Sequence, residues 1–569
     1  MDTKNYTFKN ILPKATGLGV FLALGALFVS CEDEMFDDPT GEMKMFTPLS
    51  LSVSNLENSS EISWDAALFT SEVDETYTAQ VSEDSLFENS EDIILTKETD
   101  STGVVFYSDE VSVRQKYFVR VKTNAETDDL ASNWSTSTSF RIVGTQFLQK
   151  VYDPNVNATT AVIKWNVTEG VTTIQVQEYT QEEDEDAVLI GDPISYDISS
   201  TEAAEGSKTI TDLKPDTRYN VDLYSGNTSV GYGSFKTKTI TEFTIMVSEG
   251  EDLVTIVNSA EDGAVIGLNP GNYEATENFL LDGKSITLQG TTNNPSDTKI
   301  SFKEFQLNDT GAGITLKNLE LDGATIGANY LINLTSTGGE PADFANVSIE
   351  NCEVYGVGTS AFRANRGPTG GYTMESFSIN YSIFHDFSIS NYAFLHLEEL
   401  IFENVSLKNS TFYEISDLFM RYRANFSDPA PAQTPNITID NCTINSIGYA
   451  QSYTLIDANT VDVNLTVQNS IIANIPRVDG ELGSTDLYRL NGQNSSIIMS
   501  YNNLYNLTTG GDDAQPITFP EVATNAINNN FEIELDWDNQ TTNFTLPSGS
   551  ALQTASSSGG PIGDPRWWY

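Results

Sequence analysis

Arg363, Arg366, His396, Arg421, Arg423, Asp457 and Arg489 are the residues of this sequence whose types and spacing best suit chemistry. Between Lys317 and Arg566 only seven basic residues occur, and six of them are arginine. Arg363 and Arg421 sit in matching contexts, SAFRANR and LFMRYRA, while Arg489 sits in DLYRLNG. His396 in YAFLHLE and Asp457 in YTLIDAN occupy similar short apolar strands. A guanidinium is a planar fork that pairs bidentately with carboxylate or sulfate and keeps its charge at ordinary pH. A row of them would hold an anionic chain. Proton abstraction asks more, because arginine is a poor base with a pKa of about 13 and no lysine joins the row. If the row is catalytic, His396 and Arg421 must serve as base and charge stabiliser, or Ca²⁺ must supply the positive charge. Acid hydrolysis would need a close aspartate pair, and Asp386 and Asp457 offer none at the right place.

The row exists only if the chain has a repeating frame. Aligning SITLQG, GITLKN, VSIEN, FSINY, VSLKN, ITIDN, LTVQN and IIMSY sets Gly290, Asn318, Asn351, Asn380, Asn409, Asn441, Asn469 and Tyr501 in one column. The gaps are 28, 33, 29, 29, 32, 28 and 32 residues, the signature of a solenoid. Each unit carries short β-branched strands and no long amphipathic helix, which predicts a right-handed parallel β-helix over 241–569. Ile437 and Ile439 point into the bore while Thr438 and Asp440 face out. The column asparagines Asn318, Asn351, Asn380, Asn409, Asn441 and Asn469 are expected to stack as an inward amide ladder. Arg363 and Arg421 each lie twelve residues past their column Asn, and Arg489 lies twenty past Asn469 across a longer loop. The predicted outward column of a second strand set is therefore Arg363, His396, Arg421, Asp457, Arg489, with Leu395 as the alternative occupant of the second position, at about 4.8 Å per coil. Arg423, two positions on, shares that face. Phe362, Phe419, Tyr422 and Tyr488 flank the row as candidate groove walls, though alternation turns Phe362 and Tyr488 toward the core. In the competing reading the row is structural, its arginines pairing with Asp457 and with loop carboxylates such as Asp417 or Asp486.

Two all-β modules precede the solenoid. Residues 43–143 alternate around Trp64 and QKYFVRVKTN, and residues 144–240 repeat the plan around Trp165. The stretch DLKPDTRYNVDLYS resembles the corner of fibronectin type III modules; the first module lacks its Leu-x-Pro corner. Cys352 and Cys442, three coils apart, are too distant for a disulfide and are expected to be small buried apolar side chains. The formal net charge of -51, from 29 Lys and Arg against 80 Asp and Glu, excludes nucleic acid and anionic membrane as non-specific partners.

The leader, residues 1–30, carries three lysines and then GLGVFLALGALFVS before Cys31. LFVSC resembles the lipobox of bacterial lipoproteins, and the acidic tether over 31–42 resembles the surface-export signal of Bacteroidetes lipoproteins. Those likenesses imply an acylated Cys31 in the outer membrane, facing outward. The repeat with PIGDPRW near its end resembles pectate-lyase-like domains of Bacteroidetes surface lipoproteins of poorly defined activity. The resemblance implies a polysaccharide partner, with uronate-containing chains as candidates, and a neighbouring glycan-uptake complex. The expected function is a non-catalytic surface protein that captures anionic or mixed glycan. The alternatives are a polysaccharide lyase acting on uronate chains and a structural or adhesive protein. No cofactor is required; acidic loops leave Ca²⁺ open, although no EF-hand spacing occurs.

Overall fold

The computed structural model describes residues 44–66, 75–181, 187–366, 371–423, 433–522 and 524–569. Cys31, the leader and the acidic tether lie outside the described residues. The chain is all-β, with sandwich-like antiparallel sheets followed by a parallel solenoid, and it forms two compact units that divide between Gly144 and Thr145.

In the first unit, strands Leu49–Asn55, Ser59–Asp65 and Gly103–Tyr107 form one sheet; Ile93–Thr99, Tyr77–Ser82, Tyr117–Thr123 and Thr138–Phe140 form the other. Strict alternation in YFVRVKT buries Tyr117, Val119 and Val121 with Trp64, Phe106 and Phe140. The second sandwich repeats this around Trp165, with a four-stranded sheet and the pair Ala161–Lys164 and Ser207–Ile210. Both modules close a corner with a tyrosine. Tyr219 accepts the Lys214 N–H at 2.9 Å, and Tyr117 accepts the Ser112 N–H at 3.1 Å. The first module thus has the corner without the Leu-x-Pro signature.

From Ile245 onward the chain winds through three parallel sheets. The first sheet runs from Ile245–Val247 to Thr524–Asn528, the second from Gly271–Glu274 to Asn503–Leu507, and the third from Phe279–Asp282 to Tyr488–Leu490. Registered columns such as Leu288, Leu316, Ile349, Ile379, Leu407, Ile439, Val467 and Met499 fill the bore. Cys352 and Cys442 are free and buried. Helix Leu253–Ser259 caps one end: Asp252 accepts the Thr255 N–H, Leu253 and Val257 are buried, and Lys284 donates to the closing carbonyls of Asn258 and Ala260.

The asparagine column differs from the expectation by one residue at Asn380. Asn380 pairs with Glu350 and Lys408, so the left-handed bend falls on Tyr381 (φ 51°), in line with Asn351, Asn409 and Asn441. Asn tolerates that conformation, which is why it recurs at the bend. The amides do not form one continuous ladder. Asn351 donates to Asn318 at 2.9 Å, Asn409 to the displaced Asn380 at 2.9 Å, and Asn469 to Asp440 at 3.0 Å. Amide stacks run elsewhere instead, as Asn404–Asn436–Asn464 and Asn445–Asn474–Asn506.

The last forty residues are not further coils. Leu535, Trp537, Phe544, Leu546, Leu552, Ile562 and Trp567 pack on the outer face of the second sheet, against Tyr413, Ile471, Ala473 and Tyr505. This strap is held by a buried polar knot. Asp564 accepts from Thr411 at 2.7 Å and pairs with Arg566 at 3.1 Å, whose other amine donates to the Tyr381 carbonyl at 2.9 Å.

Candidate functional site

The third sheet carries the arginines. Its register pairs Arg363 with His396, His396 with Arg421, Arg421 with Asp457, and Asp457 with Arg489. All five lie on adjacent coils of one column. Strand SAFR ends at Arg363 and strand LFMRYR runs to Arg423, which aligns with Asn459 on the next coil. Phe362, Phe419, Tyr422 and Tyr488 all point into the bore, so none walls a groove. Arg366 lies exposed beyond the strand and makes no ion pair among the described residues.

Asp457, only 1 % exposed, is the fixed point. One of its oxygens accepts from Arg423 and the other from Arg489 at 2.6–2.7 Å. Arg421, its side chain 12 % exposed, donates to the Asn391 carbonyl at 3.0 Å and lies 3.9 Å from Glu398. Burial lowers the pKa of Arg421, and Arg423 adds to the effect, but a guanidinium stays charged under either. Asp417 and Asp486 are not its partners. Asp417 accepts three backbone N–H groups, from Tyr449, Ala450 and Gln451, and Asp486 accepts from Thr518.

His396 is 3 % exposed. Its Nδ1 accepts the Ala393 N–H at 3.3 Å, which places the proton of the neutral ring on Nε2. Nε2 lies 3.2 Å from Glu398 but out of line for a hydrogen bond. Burial lowers the His396 pKa; Glu398 opposes this without reversing it, and Arg421 and Arg363 push the same way as burial. Burial also raises Glu398, but His396 and the arginines outweigh it and hold that carboxyl below its ordinary value. A neutral, covered imidazole with one nitrogen engaged is a spacer in the row rather than a ready base.

Three tyrosines complete the strip. Arg363 lies over Tyr330 at 4.9 Å and Tyr392 at 5.2 Å, and Arg489 over Tyr453 at 4.5 Å. Tyr392 also packs on His396 at 4.5 Å. The sequence held a signal for them: NYLIN, NYAFLH and SYTLID each place Tyr three or four residues before the column position. Glu398 had no such signal. The result is a strip of five arginines set against Glu398, Glu399 and Asp457, flanked by aromatic rings. Among the described residues no group of three or more His, Cys, Asp or Glu side chains is arranged to hold a metal ion. No helix of the described residues is long and apolar enough to cross a membrane.

The profile of a domain of unknown function, DUF4957, matches residues 271–415, which span the cap-side coils and the first half of the arginine strip. No curated protein matches the chain. Among solved structures, the FN1-FN3 domains of chicken CNTN1 are 15 % identical over 35 % of this chain and 69 % of theirs, with a TM-score of 0.16. A two-domain fibronectin type-III segment of chicken tenascin is 15 % identical over 34 % of this chain and 99 % of its own, with a TM-score of 0.16. A mutant of AlyGC, a PL6 family alginate lyase, is 16 % identical over 60 % of this chain and 46 % of its own, with a TM-score of 0.37.

Proposed function

We propose that the third-sheet strip binds an anionic, uronate-bearing polysaccharide. The observation that carries the reading is the surplus of guanidinium groups fixed in register along one face of a chain whose net charge is -51. Coils repeat at about 4.8 Å and the column arginines fall on alternate coils, so forks recur at roughly 9.6 Å along the face to meet the carboxylates of a polysaccharide. Binding stands ahead of cleavage because His396 is covered and engaged. A second reading, β-elimination on the same chain, draws on Tyr392. Its hydroxyl lies 3.4 Å from the Arg363 guanidinium and its ring covers His396, a phenol placed where a proton could be taken or returned.

The test is affinity electrophoresis of the whole chain through polygalacturonate and alginate, with products followed by ultraviolet absorbance. Retardation without unsaturated product supports capture, product formation supports the lyase, and neither outcome overturns both. Arg421→Ala is expected to weaken retention ten- to hundredfold, the scale of one charged hydrogen bond at about 1.5–3 kcal/mol. Rising salt should narrow the gap between variant and wild type. The proposal includes an acylated Cys31 holding the body at the cell surface beside an uptake system. Loss of membrane association in Cys31→Ala would support the anchor, and full protection of the wild type from protease on intact cells would reject surface display.

A further inference from the structure

A cleft of about 1260 Å³ lies between the second sandwich and the solenoid, away from the third sheet. The sandwich, the bend column, the strap and the loop 292–296 wall it. The sandwich supplies Lys150, Tyr152 and Asn157; the bend column supplies Tyr381, Asn409 and Asn441; the strap supplies Ser548, Trp568 and Tyr569. Its walls are pinned. Asn293 donates to the carbonyls of Pro154 and Val156 at 2.9 and 2.8 Å. Arg566 donates to the Tyr152 hydroxyl at 3.1 Å, and the Tyr152 ring meets Tyr381 edge-on at 5.3 Å. That junction explains why Tyr rather than Asn occupies the bend at position 381.

We propose that this cleft binds a neutral oligosaccharide. Its lining is balanced in charge, with Lys150, Lys164 and Arg566 against Asp153, Glu205 and Glu353, in a chain that is otherwise strongly acidic. Arg566 is already spent on Asp564, Tyr152 and the Tyr381 carbonyl, so no free fork waits for a carboxylate. Nine of the lining residues are Asn or Gln, and of the five aromatic ones Tyr152, Tyr381 and Tyr569 keep exposed area while Trp165 and Trp568 are buried. Amides both donate and accept, as sugar hydroxyls require, and ring faces stack on sugar rings. The Asn441 side-chain amide bonds to no described residue, and the Asn409 side chain spends only its N–H, on Asn380. These two unspent groups lie on successive coils of the same bend column, about 4.8 Å apart, suited to neighbouring residues of one sugar chain. The volume exceeds the roughly 300–1,000 Å³ of common small-ligand pockets, which leaves room for several sugar units.

Calorimetry of the whole chain with cello-, xylo-, manno- and galactotetraose tests the proposal. At least one should bind. Asn441→Gly with Tyr569→Ala should lower its affinity at least tenfold without moving the melting temperature, because glycine keeps the left-handed bend (φ 51°) and Tyr569 is exposed. Should that double variant unfold, Ser548→Trp at an exposed wall position should block binding by filling the cleft. Retardation by polygalacturonate should be unchanged in both, which separates this site from the third-sheet reading. Failure of all four sugars to bind, or binding that persists in the variants, would overturn the proposal.

Discussion

The second and third sheets of the solenoid are built from the same coils, yet their outer faces have opposite fates. On the second sheet the outward column Tyr355, His385, Tyr413 forms a stack of rings 5.0 and 4.9 Å apart, and the strap packs on its last member, Tyr413, through Phe544 with Trp567 beside it. On the third sheet the outward column is arginine, histidine and aspartate, and no described residue of the strap packs there. An aromatic column buries apolar area and so recruits a cover; a guanidinium column is costly to dehydrate and is left to face solvent and ligand. Both faces hold a histidine against aromatic rings, Tyr355 and Tyr413 on the coils either side of His385, and Tyr392 on the same coil as His396. The pKa of His385 is raised by hydrogen bonds to its carboxylates against the opposing effect of burial, while that of His396 is lowered by burial and by its arginines.

The largest effect should come from breaking the covered face. Arg566→Ala leaves Asp564, fully buried and already pushed up in pKa by that burial, without its cation. The expected loss is about 3 kcal/mol, read as a lower urea midpoint. The same variant should free the strap, which hydrogen exchange at Trp537 and Phe544 would report. An unchanged midpoint would show that the strap is not needed to hold the coils.

Asp457→Asn sharpens the other side. It removes the anchor of Arg423 and Arg489, two partly exposed side chains, and should cost about 2 kcal/mol. Glycan retention should fall as well, because the freed forks lose their register. If retention rose instead, Asp457 would be a competitor for the ligand rather than the clamp of its site.

The smallest effect concerns His385. Burial lowers its pKa, but hydrogen bonds to Glu353 and Asp386 more than offset this and raise it above 6.5. A raised folded value means that its stabilisation is complete below about pH 6.5 and is lost as pH rises through the folded pKa. Glu353 is held below its ordinary value, so its share is present above about pH 4.5 and is lost on acidification. His385→Phe should keep the ring stack and flatten the alkaline side of the melting-temperature profile, a change of about 0.5–1 kcal/mol. A profile that stays as steep in the variant would place the titration elsewhere.

The arginine column was legible because alternation along a strand and a near-constant coil length fix which residues align, whatever surrounds them. Arg363, His396, Arg421, Asp457 and Arg489 needed only those two periodicities. The flanking tyrosines were legible in the same frame and went unread. Asn380 was misplaced because VSIEN and FSINY match by type although the bend falls on Tyr381, and one residue of slip reverses a face.

By itself the sequence determined the class of every module, the order of the third-sheet column to within one residue at His396, and the composition of its outer face, because these follow from local period and spacing. Only the tertiary structure decided which face would be covered, that Asp457 would clamp two arginines, that Glu398 would meet His396, and that sandwich, bend column and strap would enclose a cleft. Apart from the Glu398–His396 pair, those contacts join residues dozens to hundreds of positions apart, such as Tyr152 with Arg566. Their meeting depends on the packing of whole modules, which no local period encodes.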